Sequence, residues 1–130
     1  MKMGIQKELE MLGKYGCGFL CVCEYFGYSE FEILKKYREV VEKGIMTEDC
    51  FINSWEDLFN YLAPAPATFR VEKSFDKSPG CDFYIEYWYN PLTKKHHFTL
   101  KDWDPYGFSE TVKDGHIESY RNVFIKKNKQ

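Results

Sequence analysis

Cys17 is the residue of this sequence whose type and neighbours point most directly to chemistry. It lies between Gly16 and Gly18, at the start of an apolar segment typical of a buried helix. A thiol at a helix N-terminus feels the positive end of the helix dipole, which lowers its pKa and favours the reactive thiolate. The flanking glycines would let the backbone of a substrate approach closely. Cys17 is therefore a candidate nucleophile, with an inert buried cysteine as the alternative.

A second cluster of chemically capable side chains occupies residues 95–105. A histidine base that is oriented by a carboxylate and meets a cysteine from a distant helix is the arrangement used by thiol hydrolases. The alternation of a β-strand puts His96 on the same face as Phe98 and Leu100, so His96 is predicted to face the core and His97 the opposite side. His97 is therefore the better candidate base, and His96 the better structural histidine.

Asp104 is the carboxylate that would orient His97. On a regular strand, Asp102 and Asp104 both share the face of His96, so Asp104 reaches His97 only if the strand bends or bulges. Pro105 favours such an irregularity. The residues leave open whether His96 or Asp102 takes the place of His97 or Asp104. The non-catalytic alternative is that His96 and His97 are surface histidines next to an aspartate in a turn.

The cysteines predict neither a disulfide framework nor a metal site. They are Cys17, Cys21, Cys23, Cys50 and Cys81. Their number is odd, and a reducing compartment would keep them as thiols. Their spacing differs from the Cys-x-x-Cys pairs of zinc ribbons. We expect Cys21 and Cys23 to be inert and buried, and we predict no metal ion and no cofactor.

The charge and hydropathy of the chain argue against nucleic-acid and membrane partners. Lys and Arg total 18 against 20 Asp and Glu, and the net charge of -2 gives no general attraction to nucleic acid or anionic lipid. No stretch approaches the roughly 20 apolar residues that cross a bilayer, and residues 1–14 are too charged for a signal-peptide core. We therefore expect a cytoplasmic protein. Nucleic-acid binding through aromatic side chains and Lys94, Lys95 and Lys101 is the least favoured function.

The spacing of apolar residues predicts helices in the first half of the chain and strands in the second. The predicted helices cover residues 17–27, 29–43 and 54–63. From Thr68 onward, aromatic and β-branched residues separated by short turn signals predict an antiparallel meander. The predicted strands cover residues 68–74, 82–89, 95–103, 108–112 and 116–125, and Asp114-Gly115 suits a tight hairpin before the last of them. This order predicts one α+β domain over residues 1–130, with a helical part of about 1–63 and a sheet part of about 67–125.

Three short windows of the sequence resemble the papain-like superfamily of cysteine peptidases. They are Tyr15-Gly16-Cys17 before the buried helix, His97-Phe98 in a strand, and Trp103-Asp104-Pro105 before a short hairpin. The branch that they resemble most is the bacteriocin-processing peptidases that cleave double-glycine leaders, together with small phage- and prophage-encoded relatives of unknown function. Residues 111–121 are similar to the C-terminal hairpin of those small proteins, and the resemblance extends over about residues 15–125.

The resemblance implies a papain-like fold in which N-terminal helices pack on a C-terminal antiparallel sheet. It implies a cysteine hydrolase, a peptidase or amidase acting on a peptide or protein, with Cys17 as nucleophile, His97 as general base and Asp104 as orienting carboxylate. Active members usually carry a glutamine five or six residues before the cysteine to help bind the oxyanion, but Met11 and Leu12 occupy those positions here.

The alternative function is that of an inactive peptidase-like protein that binds and modulates a host protein, for example a phage anti-defence factor. Met11 and Leu12 in place of the glutamine favour it, because a lost oxyanion donor typically costs about 2.7–4 kcal/mol of transition-state stabilisation. The aromatic residues of the second half could supply an exposed patch for such a partner, or they could form a covered face of the sheet. These aromatic residues include Tyr84, Tyr87, Trp88 and Tyr89.

Overall fold

The computed structural model describes residues 4–107 and 109–127, and the chain divides into two compact units. Within the described residues, the unit Met1–Pro64 carries four helices, and the unit Ala65–Gln130 carries a four-stranded sheet and one short helix. The boundary falls inside the Ala/Pro-rich segment 63–66, between the predicted helical and sheet parts. All strand pairs of the sheet are antiparallel, so the predicted α+β class is confirmed.

The helical unit consists of α1 (Ile5–Tyr15), α2 (Cys17–Phe26), α3 (Glu30–Glu42) and α4 (Trp55–Leu62). The last three confirm the predicted helices. The helix α2 ends at Gly27, whose φ of 75° lies in the left-handed region that glycine tolerates best. The helix α3 begins with a capping box, in which Ser29 and Glu32 exchange side-chain to main-chain hydrogen bonds.

The helix α1 lies outside the predicted helices, and an ion pair joins it to α3. Its N-cap residue is Gly4, which provides no side-chain hydrogen bond to the first turn. The Arg38 guanidinium donates to both carboxylate oxygens of Glu8 at 2.8 Å, and the Glu8 side chain is only 7% exposed. This paired geometry suits a buried carboxylate, because arginine satisfies both oxygens at once.

The sheet unit contains β1 (Ala67–Ser74), β2 (Phe83–Asn90), β3 (Lys95–Leu100) and β4 (His116–Lys127), in the order β1-β4-β2-β3. The predicted meander is therefore wrong, because the last strand inserts between β1 and β2. The ladder of β2 and β4 is irregular between Tyr87 and Trp88, where a bulge shifts the register. β3 lies at one edge of the sheet.

The predicted strand over residues 108–112 is wrong in its described part. Residues 110–113 form the short helix α5 (Glu110–Lys113), which begins at Ser109, whose hydroxyl accepts a hydrogen bond from the Val112 N–H group. Phe108 lies outside the described residues. The chain then passes to β4 through Gly115, where an added Cβ would overlap the carbonyl oxygen of Thr111. The cap at Ser109 thus outweighs the strand preference of the β-branched residues.

Candidate active site

A two-residue turn after β3 determines where Asp104 lies relative to His97. The N–H groups of Leu100 and Trp103 each donate to the other residue's carbonyl oxygen, at 3.0 and 2.6 Å. Asp102 occupies the second turn position with a φ of 59°, which aspartate adopts more readily than most residues. β3 therefore ends at Leu100, short of the predicted 103, and the chain reverses completely. This reversal of the chain is the departure from a regular strand that Asp104 needs in order to reach His97.

His97 and Asp104 form a directly bonded pair in which His97 is buried and Asp104 is half-buried. The distance from His97 Nε2 to Asp104 Oδ1 is 2.5 Å, and the two side chains are 4% and 14% exposed. The same carboxylate accepts hydrogen bonds from two main-chain N–H groups, that of Tyr106 at 2.9 Å and that of Ser109 at 3.2 Å. Because three donors converge on it, the carboxylate is held in one orientation against the imidazole.

This arrangement determines the charge of Asp104 and the tautomer of His97. Burial raises the pKa of Asp104. The hydrogen bonds from the Tyr106 N–H, the His97 ring and the Ser109 N–H lower it by more than burial raises it, so the pKa lies below its ordinary value. The group is therefore ionised at neutral pH and can only accept hydrogen bonds. Nε2 of a neutral His97 must then carry the hydrogen, and Nδ1 carries the lone pair that a general base uses.

Tyr106 lies against the imidazole ring of this pair. The ring centroids of His97 and Tyr106 are 5.1 Å apart, and the ring planes are inclined by 24°. Tyr106 is 36% exposed, whereas His97 is 3% exposed. Sequence reasoning missed this residue, although its place directly after Asp104-Pro105 was a usable signal.

A short hydrogen-bond chain shares the sheet face of His97. Trp88 pairs with His97 across the strands, and Glu86 pairs with Thr99. The Trp88 indole donates to the Thr99 hydroxyl at 2.9 Å, and that hydroxyl donates to Glu86 Oε1 at 2.9 Å. Thr99 is 4% exposed, and its buried hydroxyl group both accepts one of these hydrogen bonds and donates the other. The strand alternation places Thr99 beside His97, but it gave no signal for Glu86 or Trp88.

The prediction that His96 faces the core and His97 the other side is wrong. His97 is buried, whereas the His96 side chain is 40% exposed. The His96 ring stacks on Tyr87 with a centroid distance of 4.9 Å, and its Nε2 atom lies 3.6 Å from a Glu118 carboxylate oxygen. The hydrophobic alternation failed here because polar residues, including His97 and Thr99, occupy a buried face.

The candidate aromatic patch, which comprises four of the five aromatic residues of β2, is not exposed. Tyr84, Tyr87, Trp88 and Tyr89 are all half-buried. Neighbouring rings cover several of them, since Tyr87 contacts Phe98 and Tyr84 contacts Tyr120, at centroid distances of 4.4 and 5.5 Å. The interpretation of these residues as largely covered sheet surface is the better one.

Cys17 is the first residue of α2, in the helical unit. It is a half-buried cysteine. The preceding Gly16 packs so closely on α1 that an added Cβ would lie 2.5 Å from the Leu12 carbonyl oxygen, and only glycine avoids that overlap. Main-chain N–H groups in the first turn of a helix point toward its N-terminus, so the thiol lies at the positive end of the α2 dipole. The location suits a nucleophile activated by a helix N-terminus.

The residues where an oxyanion glutamine is expected belong to α1. Leu12 is buried, and the Met11 carbonyl oxygen accepts a hydrogen bond from the Cys50 thiol at 3.8 Å. Neither side chain carries a hydrogen-bond donor. An oxyanion formed at Cys17 would therefore depend on main-chain N–H groups or on another side chain.

Three of the other four cysteines lack the exposure of a reactive thiol. Cys21, Cys23 and Cys50 are buried. Burial raises the pKa of Cys23 to about 12, and burial followed by the charge of Asp49 raises that of Cys50 to about 12. Across the described residues, no group of three or more His, Cys, Asp or Glu side chains could hold a metal ion. Nor does any helix in that part of the chain have the length and apolar character needed to cross a membrane.

Comparison with known proteins assigns the chain to a family. No curated protein and no solved structure matches it. One family model matches residues 1–127, which is nearly the whole chain, and that family is described as "Protein of unknown function, DUF261". The protein is therefore a member of the DUF261 family.

Proposed function

We propose that this protein is a papain-like cysteine hydrolase that acts on a peptide or amide bond. Cys17 is the nucleophile, His97 the general base and Asp104 the carboxylate that orients the imidazole. The observation that carries the proposal is the directly bonded His97–Asp104 pair, with its 2.5 Å hydrogen bond and its main-chain anchors. A carboxylate that fixes the tautomer of a base is the arrangement on which triad hydrolases depend.

The chemical steps follow from the atoms available. His97 Nδ1 accepts the proton of the Cys17 thiol, and the thiolate attacks the substrate carbonyl carbon. As the carbon–nitrogen bond breaks, the imidazolium returns the proton to the leaving amine, and a thioester remains on Cys17. Water then hydrolyses the thioester with His97 again acting as base. Throughout this sequence Asp104 keeps the ring oriented and stabilises its charged form.

Selective alkylation of Cys17 tests this proposal without knowledge of the substrate. Native protein is treated with substoichiometric iodoacetamide between pH 6 and 8, and the adducts are located by mass spectrometry. We expect Cys17 to react about tenfold faster than the half-buried Cys81, because only Cys17 would be held partly as thiolate. In His97→Ala, Cys17 is expected to react no faster than Cys81, and its alkylation rate should rise only at higher pH.

His96→Ala and Asp102→Gly are the matched controls, because each removes a neighbouring group of the same chemical type. Neither is expected to change the Cys17 rate, whereas Asp104→Asn should lower it. If wild-type Cys17 reacts no faster than Cys81, the hydrolase proposal is wrong. If His96→Ala has the effect expected of His97→Ala, the assignment of the base is wrong.

Met11 and Leu12 favour a second candidate, a peptidase-like scaffold that binds a host protein without hydrolysing it. In that case Cys17 would be dispensable. A stoichiometric partner captured from host lysate equally well by the wild-type protein and by Cys17→Ala, together with unselective alkylation, would support the binding function. A partner that is retained by Cys17→Ala but cleaved by the wild-type protein would support the hydrolase.

A further inference from the structure

Glu86 lies on the same sheet face as the candidate base, on the neighbouring strand. It pairs with Thr99, and the next pair on this face joins Trp88 to His97. Glu86 and His97 are therefore diagonal neighbours across the two strands, about 7–8 Å apart, which is a separation that long side chains can bridge. A group bound at Glu86 would thus lie close to the imidazole.

The hydrogen-bond chain through Thr99 makes Glu86 an acceptor and leaves its charge unpaired. The Thr99 hydroxyl accepts the Trp88 indole hydrogen, so its own hydrogen is directed to Glu86 Oε1 at 2.9 Å. In the part of the chain that the structure describes, no lysine, arginine or histidine forms an ion pair with Glu86. The carboxylate of Glu8, by contrast, is bound by Arg38. Because a partly buried charge is more stable with a counter-charge, Glu86 is suited to a cation from a ligand.

Aromatic side chains flank Glu86 on this face. Tyr84 and Trp88 are its neighbours on the same face of β2, and Tyr120 is its direct partner on β4. All four residues are half-buried, so part of each stays open to solvent. Burial, followed by the charge of Glu86, raises the pKa of Tyr120, which agrees with a short distance between these two side chains. A carboxylate among aromatic rings suits an organic cation, because the negative faces of the rings add to the attraction of the charge.

One ammonium group of the chain itself already lies on this aromatic surface. The Lys77 Nζ atom is 5.1 Å from the centroid of the Tyr84 ring. The buried Asn122 fixes the loop on both sides of Lys77, since its side chain donates to the Asp76 carbonyl oxygen and accepts from the Ser78 N–H group, each at 3.1 Å. The Tyr84 ring is therefore presented so that a cation can approach its face.

We propose that Glu86, with Trp88 and Tyr120, forms a subsite for a positively charged side chain, so that the substrate is a peptide with lysine or arginine close to the cleaved bond. This inference rests on the proposed function in that His97 marks the place of cleavage. The carboxylate binds the ammonium or guanidinium group, and the rings pack on its aliphatic stem. Glu86 determines specificity and takes no part in bond cleavage.

Peptide binding to the full-length Cys17→Ala protein, which cannot hydrolyse the ligands, tests this subsite. The probes are blocked tripeptides that differ only in the middle residue, which is lysine, arginine or norleucine. The indole N–H signal of Trp88, assigned by comparison with Trp88→Phe, reports binding by nuclear magnetic resonance. We expect the lysine or the arginine peptide to bind about tenfold more tightly than the norleucine peptide, and the better of the two identifies the preferred cation.

Glu86→Gln, made in the same protein, removes the charge but keeps an acceptor for the Thr99 hydroxyl group. It should reduce the preference for cationic peptides to about twofold or less. Glu118→Gln is the matched control, because it makes the same change at an exposed glutamate of β4 and should leave the preference intact. Equal affinities for the three peptides before any change at Glu86 would overturn the proposal, whether or not Glu86→Gln folds. A preference for cations that survives in Glu86→Gln would also overturn it.

The alkylation rate of Cys17 decides the proposed function separately from this subsite. Selective alkylation without a preference for cationic peptides would keep the hydrolase and refute the role of Glu86. A preference that depends on Glu86, together with unselective alkylation, would support a site for basic peptides and refute the hydrolase.

Discussion

At the scale of single residues, Asp104 links the candidate site to the stability of the fold. Its carboxylate receives hydrogen bonds from His97, Tyr106 and Ser109, and these bonds keep its pKa below the ordinary value despite burial. Ionisation of such a group favours the folded state, because the folded protein binds its proton less tightly than the unfolded chain does. The site and the surrounding loop are therefore stabilised by the same charge.

Asp104→Asn should destabilise the protein at pH 7 by about 1–3 kcal/mol, because a charge-assisted set of hydrogen bonds is replaced by weaker neutral ones. The stabilisation by the carboxylate is fully present above the ordinary aspartate pKa of about 3.9 and is lost as the pH falls through the lower folded-state pKa. The difference in unfolding free energy between wild type and variant should therefore shrink below about pH 4. Urea titrations from pH 7 to pH 3 measure it.

Asp102 is exposed, and Asp102→Asn makes the same chemical change in the adjoining turn. This variant is therefore the matched control for the experiment. Its effect should be small and nearly independent of pH. A difference between wild type and Asp104→Asn that stays constant down to pH 3 would show that the carboxylate charge is not what stabilises this loop.

At the scale of elements, the turn after β3 brings the carboxylate to the base. Asp102 has a φ of 59°, a conformation that strains β-branched residues and suits glycine. We expect Asp102→Val to lower the unfolding free energy by about 1–2 kcal/mol, whereas Asp102→Gly should be as stable as the wild-type protein or more stable. Thermal unfolding of the three proteins tests this. Equal stability of the valine and glycine variants would show that the turn does not depend on this conformation.

The same elements show what the sequence could and could not predict. Helices with clear caps, such as α3 with Ser29 and Glu32, were predictable because capping and apolar spacing agree. α1 has Ile5, Leu9 and Leu12 at helical spacing, but its glycine N-cap gave no start signal. The order of the strands was not predictable, because β4 pairs with residues distant in sequence on both sides.

For the candidate site, sequence reasoning identified His97 and Asp104 but could not specify how they meet. Strand alternation put the two residues on opposite faces, and only the reversal at Asp102 removes that separation. Alternation also predicted the wrong buried face, because His97 and Thr99 are polar residues whose burial depends on partners on other segments. Hydrophobicity carries no information about such partners.

At the scale of the whole molecule, the cysteines provide a test of the fold. The chain has five, and three of them, Cys21, Cys23 and Cys50, are buried. A titration of native protein with a thiol-specific disulfide reagent should therefore show a fast reaction at Cys17 and Cys81 only. All five thiols should react at once in denaturant. Fast reaction of a third thiol in the native protein would contradict the described packing of the helices.

The hairpin that carries His97, Asp104 and Tyr106 also has a consequence for folding kinetics. These residues are at most nine positions apart in the chain, whereas β1 pairs with a strand about 50 residues further on. Closing a loop of ten residues takes about 10–100 ns, and a hairpin forms in about 1–10 μs, while distant strands meet more slowly because more chain entropy must first be lost. We therefore expect the hairpin that joins the imidazole to its carboxylate to form before β1 pairs with β4.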